Sequence, residues 1–278
     1  MPDIFEDSNA SILSGALDQS ILGSLSYNGQ RCTALKLFFI PQAHGETFAN
    51  LLAKRVEAMT VGLPWQTWND NGSYSSITPL PNQKRIKFMK RLIDDAVSKG
   101  AKILNENGGT VIGGPDSTLM VPAVLYPVTK DMEVYHEEQF GPVIPIATYD
   151  SLDTVLDYGT NGIYGQQVSI FTSQADSKTA ATLVDRFSSI FGKININSQC
   201  GRSPDTLPFS GRRSSAMGVM SVKDALREFS IPTVVAYQQN DANEGVVQEM
   251  ETSSKFLQPL WNRLPLKQSW INFRLNLE

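Results

Sequence analysis

The feature that most constrains the fold is a regular alternation of helical and strand patterns along residues 10–197. Leu13, Leu17 and Ile21 recur every four residues, as on one face of an amphipathic helix, and residues 35–40 then form an apolar run that ends at Pro41. Further helical patterns follow at residues 48–59 and 86–97, and short strands alternate with helices from there to residue 197. This alternation predicts an α/β fold with a mostly parallel, open sheet covered by helices on both faces.

The composition excludes several classes of function. The 278 residues carry a net charge of −4, which disfavours a broad basic surface for nucleic acid. The sequence has no apolar run of about 18 residues that could span a membrane and no basic leader, so it predicts a soluble, cytoplasmic protein. The cysteines are Cys32 and Cys200, and the histidines are His44 and His136, which is too few for a disulfide framework and leaves little for a metal site. Any catalysis is therefore expected to rest on a thiol or on carboxylates.

Cys32 lies in a turn of small residues between a predicted helix and a buried strand. The segment reads Asn28-Gly-Gln-Arg-Cys-Thr-Ala34. Such a turn can present a side chain together with backbone N–H groups, which suits a nucleophilic thiol whose oxyanion must be stabilised. From the spacing alone, a buried cysteine that acts as a small hydrophobic residue is the commoner interpretation.

Two further segments could bind a ligand. In Glu137-Glu-Gln-Phe-Gly-Pro-Val143, two carboxylates and an aromatic ring precede a strand, where a carboxylate can hold the hydroxyls of a ribose. The segment from Asn195 to Ser215 is a strand end that opens into a long loop with three arginines, whose planar guanidinium groups fit phosphate oxygens. The alternatives are a solvated acidic pair and ordinary surface arginines, respectively.

In this order, the three segments resemble the C-terminal catalytic portion of the aldehyde dehydrogenase superfamily, over roughly residues 1–237. Arg31 next to the cysteine, and Arg202-Ser-Pro-Asp205 ahead of Pro208-Phe209, are most similar to the non-phosphorylating, NADP-dependent glyceraldehyde-3-phosphate dehydrogenase branch.

The resemblance implies a role for each matching residue. Cys32 is expected to be the nucleophile that adds to an aldehyde and carries a thioester, with the oxyanion partly on its own N–H. Glu138 is expected to hold the ribose of the nicotinamide of NADP or NAD, with Phe140 packed beside it. Arg31 and Arg202 are expected to bind a substrate phosphate. These assignments to single residues are what the resemblance implies.

The sequence also departs from the family. Ser203 stands where the branch has glycine, and Ser210-Gly-Arg-Arg-Ser-Ser215 replaces its Gly-x-Lys-x-Ser-Gly, which bears on the exact substrate. The family's nucleotide-binding domain, its oxyanion-hole asparagine and its Glu-Leu-Gly-Gly segment have no counterpart in these residues. We therefore expect a truncated or split form with little activity alone. The alternatives are a non-catalytic structural or interaction subunit that docks through its C-terminal tail, and an incomplete gene product.

The last forty residues have a different character. Residues 241–251 hold four acids and no base, which predicts a solvated linker, and residues 255–278 carry Phe256, Trp261, Trp270 and Phe273. So many aromatic side chains predict docking on this chain or on a partner. The segment from Ile231 to Ala236 resembles the family's late oligomerisation strand. The predicted division is a catalytic portion at 1–237 and a linker with tail at 238–278, and the predicted partners are a homo-oligomer or another polypeptide.

Overall fold

A computed structural model describes residues 5, 10–68, 72–231 and 233–257, and the chain divides into two compact units, Met1–Leu226 and Arg227–Glu278. The helices are α1 (Ala10–Leu25), α2 (Gly45–Glu57), α3 (Gln83–Ser98), α4 (Glu133–His136), α5 (Leu152–Asn161), α6 (Ser177–Phe187), α7 (Val222–Glu228) and α8 (Asp241–Ser253). The strands are β1 (Phe38–Pro41), β2 (Lys102–Ile103), β3 (Val111–Ile112), β4 (Leu119–Met120), β5 (Ala123–Tyr126), β6 (Val143–Tyr149), β7 (Gln167–Ile170), β8 (Lys193–Ile196), β9 (Phe209–Ser210) and β10 (Val219–Met220). Within these ranges, no helix has the length and apolar character needed to cross a membrane.

The central sheet has four strands in the order β1-β6-β5-β2. β1 runs parallel to β6, with Phe38 opposite Ile146, and β5 runs parallel to β6 on its other side. The short edge strand β2 pairs antiparallel with β5. Because β1 and β6 are parallel neighbours, the segments that lead into them lie at the same edge of the sheet. Those segments are the ones that carry Cys32 and Glu138.

Helices cover both faces of this sheet, as the alternation predicts. α3 begins at Asn82, whose side chain accepts a hydrogen bond from the Arg85 amide, and its apolar face packs with Val143 and Ala147 of β6. On the opposite face, α2 packs with Ile144 and Ile146 of the same strand. Strand β6 is therefore buried on both sides, which is typical of a parallel sheet between two layers of helices.

The second pair of strands forms its own small layer. β7 and β8 are parallel, with Val168 opposite Ile194, and the buried residues of α6 pack against Ile170. The two remaining strand pairs, β3 with β4 and β9 with β10, are antiparallel. The fold is thus a mixed α/β architecture with a mostly parallel central sheet, as the sequence predicts.

Leu52 offers a test of this packing. Its side chain is fully buried between α2 and the sheet. Replacing it with alanine is expected to lower the free energy of unfolding by about 2–5 kcal/mol, because the lost contacts leave a cavity. Urea unfolding followed by circular dichroism measures this loss. Leu22→Ala is the matched control, since Leu22 is 46% exposed on α1, and an equal loss in both variants would contradict the described core.

The C-terminal residues differ from the sequence prediction in one respect. Where a linker is predicted, residues 241–253 form α8, which begins after Asn240, whose side chain accepts a hydrogen bond from the Asn243 amide. Asp241 and Glu244 lie in its first turn, where carboxylates interact favourably with the helix dipole, and this explains how an acid-rich stretch becomes helical. Its side chains are solvated, as predicted.

The predicted oligomerisation strand has no strand partner within the described part of the chain. Of the residues from Ile231 to Ala236, residue 232 lies outside the described set and the others have no regular secondary structure. Ile231 is 94% exposed and Val234 is 85% exposed. Pairing with another chain therefore stays a prediction. Phe256 is exposed, and the other aromatic residues of the predicted tail lie outside the described residues.

Candidate active site

Cys32 sits in a tight turn between α1 and β1. The amide of Ala34 donates to the Arg31 carbonyl at 3.1 Å, and the amide of Leu35 donates to Gly23 of α1 at 3.1 Å. These bonds fold the turn back on the helix and leave the Cys32 thiol exposed. Within the described residues, the Cys32 amide has no recorded acceptor, so this N–H is available to an anion beside the thiol.

The turn is built around a left-handed backbone. Asn28 and Gly29 have φ of 60° and 70°, and the Asn28 side chain fixes its own position by accepting from the Thr78 amide at 2.9 Å. A Cβ on Gly29 would lie 2.6 Å from the carbonyl oxygen of Gly141 and 2.7 Å from that of Ser24. Only glycine therefore allows the cysteine turn to approach the loop that carries Glu138.

The loop before β6 is held by the side chains of Arg85 and Gln139. Arg85 donates to the Phe140 carbonyl at 3.2 and 3.3 Å, and also to the Gln139 carbonyl. The Gln139 side-chain amide donates to the carbonyls of Lys36 at 2.7 Å and Val143 at 2.9 Å. Phe140 has a φ of 43°, an unfavourable conformation for a side chain of this size, and these bonds maintain it.

Cys32, Glu138 and Phe140 line the same cavity, which has a volume of about 410 Å³. Most of the lining is apolar and comes from β1, β7, α5 and α6. Partial burial raises the pKa of the Glu138 carboxyl, while the nearby charges of Lys36 and Arg85 act in the opposite direction. The structure therefore brings a thiol, a carboxylate and an aromatic ring together at the amino-terminal edge of β1 and β6.

The two predicted phosphate-binding arginines are placed differently. Arg31 donates to the Gly23 carbonyl at 3.1 Å and to the Gln199 side chain at 2.9 Å, so it joins the end of α1 to the loop after β8. Arg202 belongs to that loop, where its guanidinium lies 5.6 Å from the Phe209 ring and 3.8 Å from the Asp205 carboxylate. Neither arginine is among the described residues that line the cavity of Cys32.

Cys200 has the opposite character from Cys32. It is 3% exposed, and its sulfur lies 3.3 Å from the Ser169 hydroxyl and 3.6 Å from the Asn195 amide nitrogen. Burial raises the pKa of this thiol to about 11. Little thiolate forms at neutral pH, which makes Cys200 a poor nucleophile. In the part of the chain that is described, no three His, Cys, Asp or Glu side chains form a group that could hold a metal ion.

Lys36, Arg85 and Gln139 are the residues of this site that the sequence analysis did not identify. Lys36 comes four positions after Cys32 and lines the same cavity, whereas Arg85 lies on α3 and reaches the Glu138 loop across 55 positions of sequence. The apolar residues around Lys36 are the one available signal, because a lysine inside a buried strand pattern needs a partner. Nothing comparable in the sequence indicates that Arg85 contacts the Glu138 loop.

The residue pattern of this chain matches a known family. The model of the aldehyde dehydrogenase family matches residues 4–235. NADP-dependent glyceraldehyde-3-phosphate dehydrogenase of Apium graveolens is 30% identical over 223 residues, which are 80% of this chain and 41% of that protein. Sulfoacetaldehyde dehydrogenase of Neptuniibacter caesariensis is 29% identical over 203 residues, or 73% of this chain and 41% of that protein.

A solved structure gives the same result. NADP-dependent glyceraldehyde-3-phosphate dehydrogenase from Bacillus halodurans, complexed with NADP, superimposes with a TM-score of 0.67 at 34% identity, over 77% of this chain and 41% of that one. The chain thus spans about two fifths of the length of the relatives that it matches. On its matched residues and its fold, this chain belongs to the aldehyde dehydrogenase family.

Proposed function

We propose that this chain is the thiol-bearing portion of an NAD(P)-dependent aldehyde dehydrogenase. The observation that carries the proposal is the exposed Cys32 thiol in one cavity with Glu138 and Phe140. The thiolate adds to the aldehyde carbon, and the oxyanion that forms accepts a hydrogen bond from the Cys32 amide. Loss of hydride from this adduct leaves a thioester on Cys32, which water hydrolyses to the carboxylic acid.

The cavity fits one end of the cofactor. The Glu138 carboxylate can accept hydrogen bonds from the ribose hydroxyls of the nicotinamide half, and the Phe140 ring offers an apolar surface beside it. When bound, NAD(P) supplies the acceptor for the hydride. The sequence offers no Gly-rich turn between strand and helix for the pyrophosphate, since neither Asn107-Gly-Gly109 nor Ile112-Gly-Gly-Pro115 has that setting. Turnover is therefore proposed to need a further segment or polypeptide that supplies the rest of the cofactor site and the base for hydrolysis.

The proposed substrate is a small aldehyde, with glyceraldehyde 3-phosphate as the first candidate. Relatives at about 30% identity are named NADP-dependent glyceraldehyde-3-phosphate dehydrogenase. Arg31 donates a hydrogen bond to Gln199, which lies in the same loop as Arg202, so both arginines are associated with that loop. The Arg202 side chain is 55% exposed, so a phosphate can reach its guanidinium, although the Asp205 carboxylate already lies 3.8 Å from it. To bind one directly, Arg31 would have to use N–H groups other than those of Nη2, because Nη2 donates to the Gly23 carbonyl and to the Gln199 side chain.

Protection of Cys32 from alkylation tests this proposal without requiring turnover. We expect saturating glyceraldehyde 3-phosphate to slow iodoacetamide labelling of Cys32 by at least about tenfold, because the adduct removes the thiolate. Glycerol 3-phosphate is the matched control, since it has the phosphate but no aldehyde. Equal labelling rates with both compounds would contradict the proposal. Rapid NADP reduction by the purified chain alone would contradict the need for a further segment.

A second candidate, a structural or interaction subunit, is favoured by one observation. Between residues 229 and 237, apolar side chains are widely exposed, with Phe229 at 93% and Ile231 at 94%. Exposed apolar residues at this density are typical of a surface that another chain covers. If deletion of residues 227–278 leaves the assembly state, measured by sedimentation equilibrium, unchanged, this second candidate is wrong.

A further inference from the structure

Lys36 is a partly buried amine that lines the cavity of Cys32, and the proposed reaction does not use it. Its ammonium nitrogen donates to the Tyr135 carbonyl at 2.9 Å and lies 3.3 Å from the Tyr158 hydroxyl. The same nitrogen lies 5.9 and 5.8 Å from the ring centres of Tyr158 and Tyr164. Lys36 is thus anchored by neutral groups and aromatic rings, and it takes part in none of the ion pairs recorded among the described residues.

These surroundings favour the neutral amine. Burial is the main effect, and it lowers the pKa of Lys36 to about 8, although attraction to Glu138 and Glu137 works against it. Burial also raises the pKa of Tyr158 and of Tyr164, so both hydroxyls stay uncharged near Lys36. A neutral amine has two N–H groups and one lone pair. The two recorded contacts can take both N–H groups and leave the lone pair unused.

The position of Lys36 makes the lone pair chemically relevant. Lys36 follows Cys32 by four residues, and both line the cavity of about 410 Å³. An aldehyde that enters to meet the thiol therefore also meets an amine, and neutral amines condense with aldehydes.

We propose that Lys36 is a second covalent aldehyde site, at which its amine forms an imine with a small aldehyde. The nitrogen lone pair attacks the carbonyl carbon and the carbonyl oxygen takes a proton. Loss of one water from the carbinolamine then gives the imine, and no oxidant or reductant takes part. The site would hold aldehyde reversibly beside Cys32. This inference goes beyond the proposed dehydrogenase reaction, because it does not require Cys32 to be catalytic.

Reductive trapping tests the proposal. The full chain is incubated at pH 8 with glyceraldehyde 3-phosphate and sodium cyanoborohydride, which converts an imine to a stable secondary amine, and the labelled peptides are mapped by mass spectrometry. At this pH about half of the Lys36 side chains are neutral, against well under one in a hundred for a lysine with the ordinary value of 10.5. We expect the labelled fraction at Lys36 to exceed that at the exposed Lys54 and Lys178 by at least about tenfold.

Variants and the pH dependence of labelling distinguish the reaction of aldehyde at Lys36 from its reaction at Cys32. Cys32→Ser should keep the label at Lys36, whereas Lys36→Arg should remove it and Lys54→Arg should not. In the unmodified chain, the rate of labelling at Lys36 should rise as the pH is raised from 6 to about 8, because the amine becomes neutral in that range. Labelling of Lys36 no greater than that of Lys54, or unchanged total labelling in Lys36→Arg, would overturn the proposal. The failure of thiol protection by aldehyde would leave these outcomes unaffected.

Discussion

Replacement of Cys32 with serine is expected to lower the rate of acyl transfer from p-nitrophenyl acetate to the chain by at least roughly 10³-fold. A thiolate is a far stronger nucleophile than the neutral hydroxyl that would replace it. Release of p-nitrophenolate in a single-turnover experiment measures the rate. The side chain is exposed in its turn, so the substitution leaves the packing of the core unchanged.

Cys200→Ser is the matched control for this experiment. Cys200 lies in the same chain, but it is buried and its thiol has a raised pKa of about 11. Its replacement should leave the rate within about twofold of the unmodified chain, because little of this thiol is ionised near neutral pH. If Cys200→Ser instead removes the acyl transfer and Cys32→Ser retains it, the assignment of the nucleophile is wrong.

Replacement of Gly29 with alanine is expected to damage both stability and reactivity. The backbone there has a φ of 70°, and a Cβ would lie 2.6 Å from the Gly141 carbonyl oxygen. A left-handed conformation costs a non-glycine residue about 1–2 kcal/mol, and overpacking adds about 1–3 kcal/mol, so we expect a loss of roughly 2–5 kcal/mol in the free energy of unfolding. Urea unfolding measures the loss. The rate at which Cys32 is alkylated should also change, because the turn must move away from the Glu138 loop.

Gly15→Ala is the control for this substitution. Gly15 lies inside α1, and nothing comes within 4 Å of a Cβ built there. Alanine in a helix interior is favoured over glycine by about 0.5–1 kcal/mol, so this variant should be slightly more stable than the unmodified chain. A Gly29→Ala variant as stable as Gly15→Ala would contradict the close contact between the cysteine turn and the Glu138 loop.

The sequence predicted the layered α/β fold because apolar spacing reports burial directly. The strand β6 illustrates this: the alternation of elements predicted a sheet covered by helices on both faces, and α2 and α3 cover the two faces of β6. The acidic stretch at residues 241–251 was predicted as a linker because it holds four acids and no base. The structure forms α8 there, since the side chain of Asn240 caps the helix and two acids stabilise its first turn.

The candidate site was predictable only in part. The motifs around Cys32 and Glu138 are local in sequence, and both precede strands that turn out to be parallel neighbours, which explains why they meet in one cavity. The residues that hold the Glu138 loop come from distant segments. Arg85, on α3, donates hydrogen bonds to the carbonyls of Gln139 and Phe140. A single sequence does not show which arginine of a helix will contact a loop that is distant in the chain.

Lys36 is another residue of the site whose properties could not be predicted from the sequence. The sequence places it in an apolar run, and the structure surrounds it with tyrosines from α4, α5 and the loop before β7. Its lowered pKa is a property of that three-dimensional environment. In the folded chain, Lys36 and Cys32 line the same cavity.

The central claim is that Cys32 is the nucleophile of this chain, and the location of a trapped acyl group tests it most directly. After a brief reaction with p-nitrophenyl acetate at neutral pH, the chain is digested and the acetylated peptides are mapped by mass spectrometry. We expect one acetyl group per chain as a thioester on Cys32, removed by hydroxylamine and absent from Cys200. Acetylation on Cys200, or on lysines alone with an unmodified Cys32, would contradict the claim.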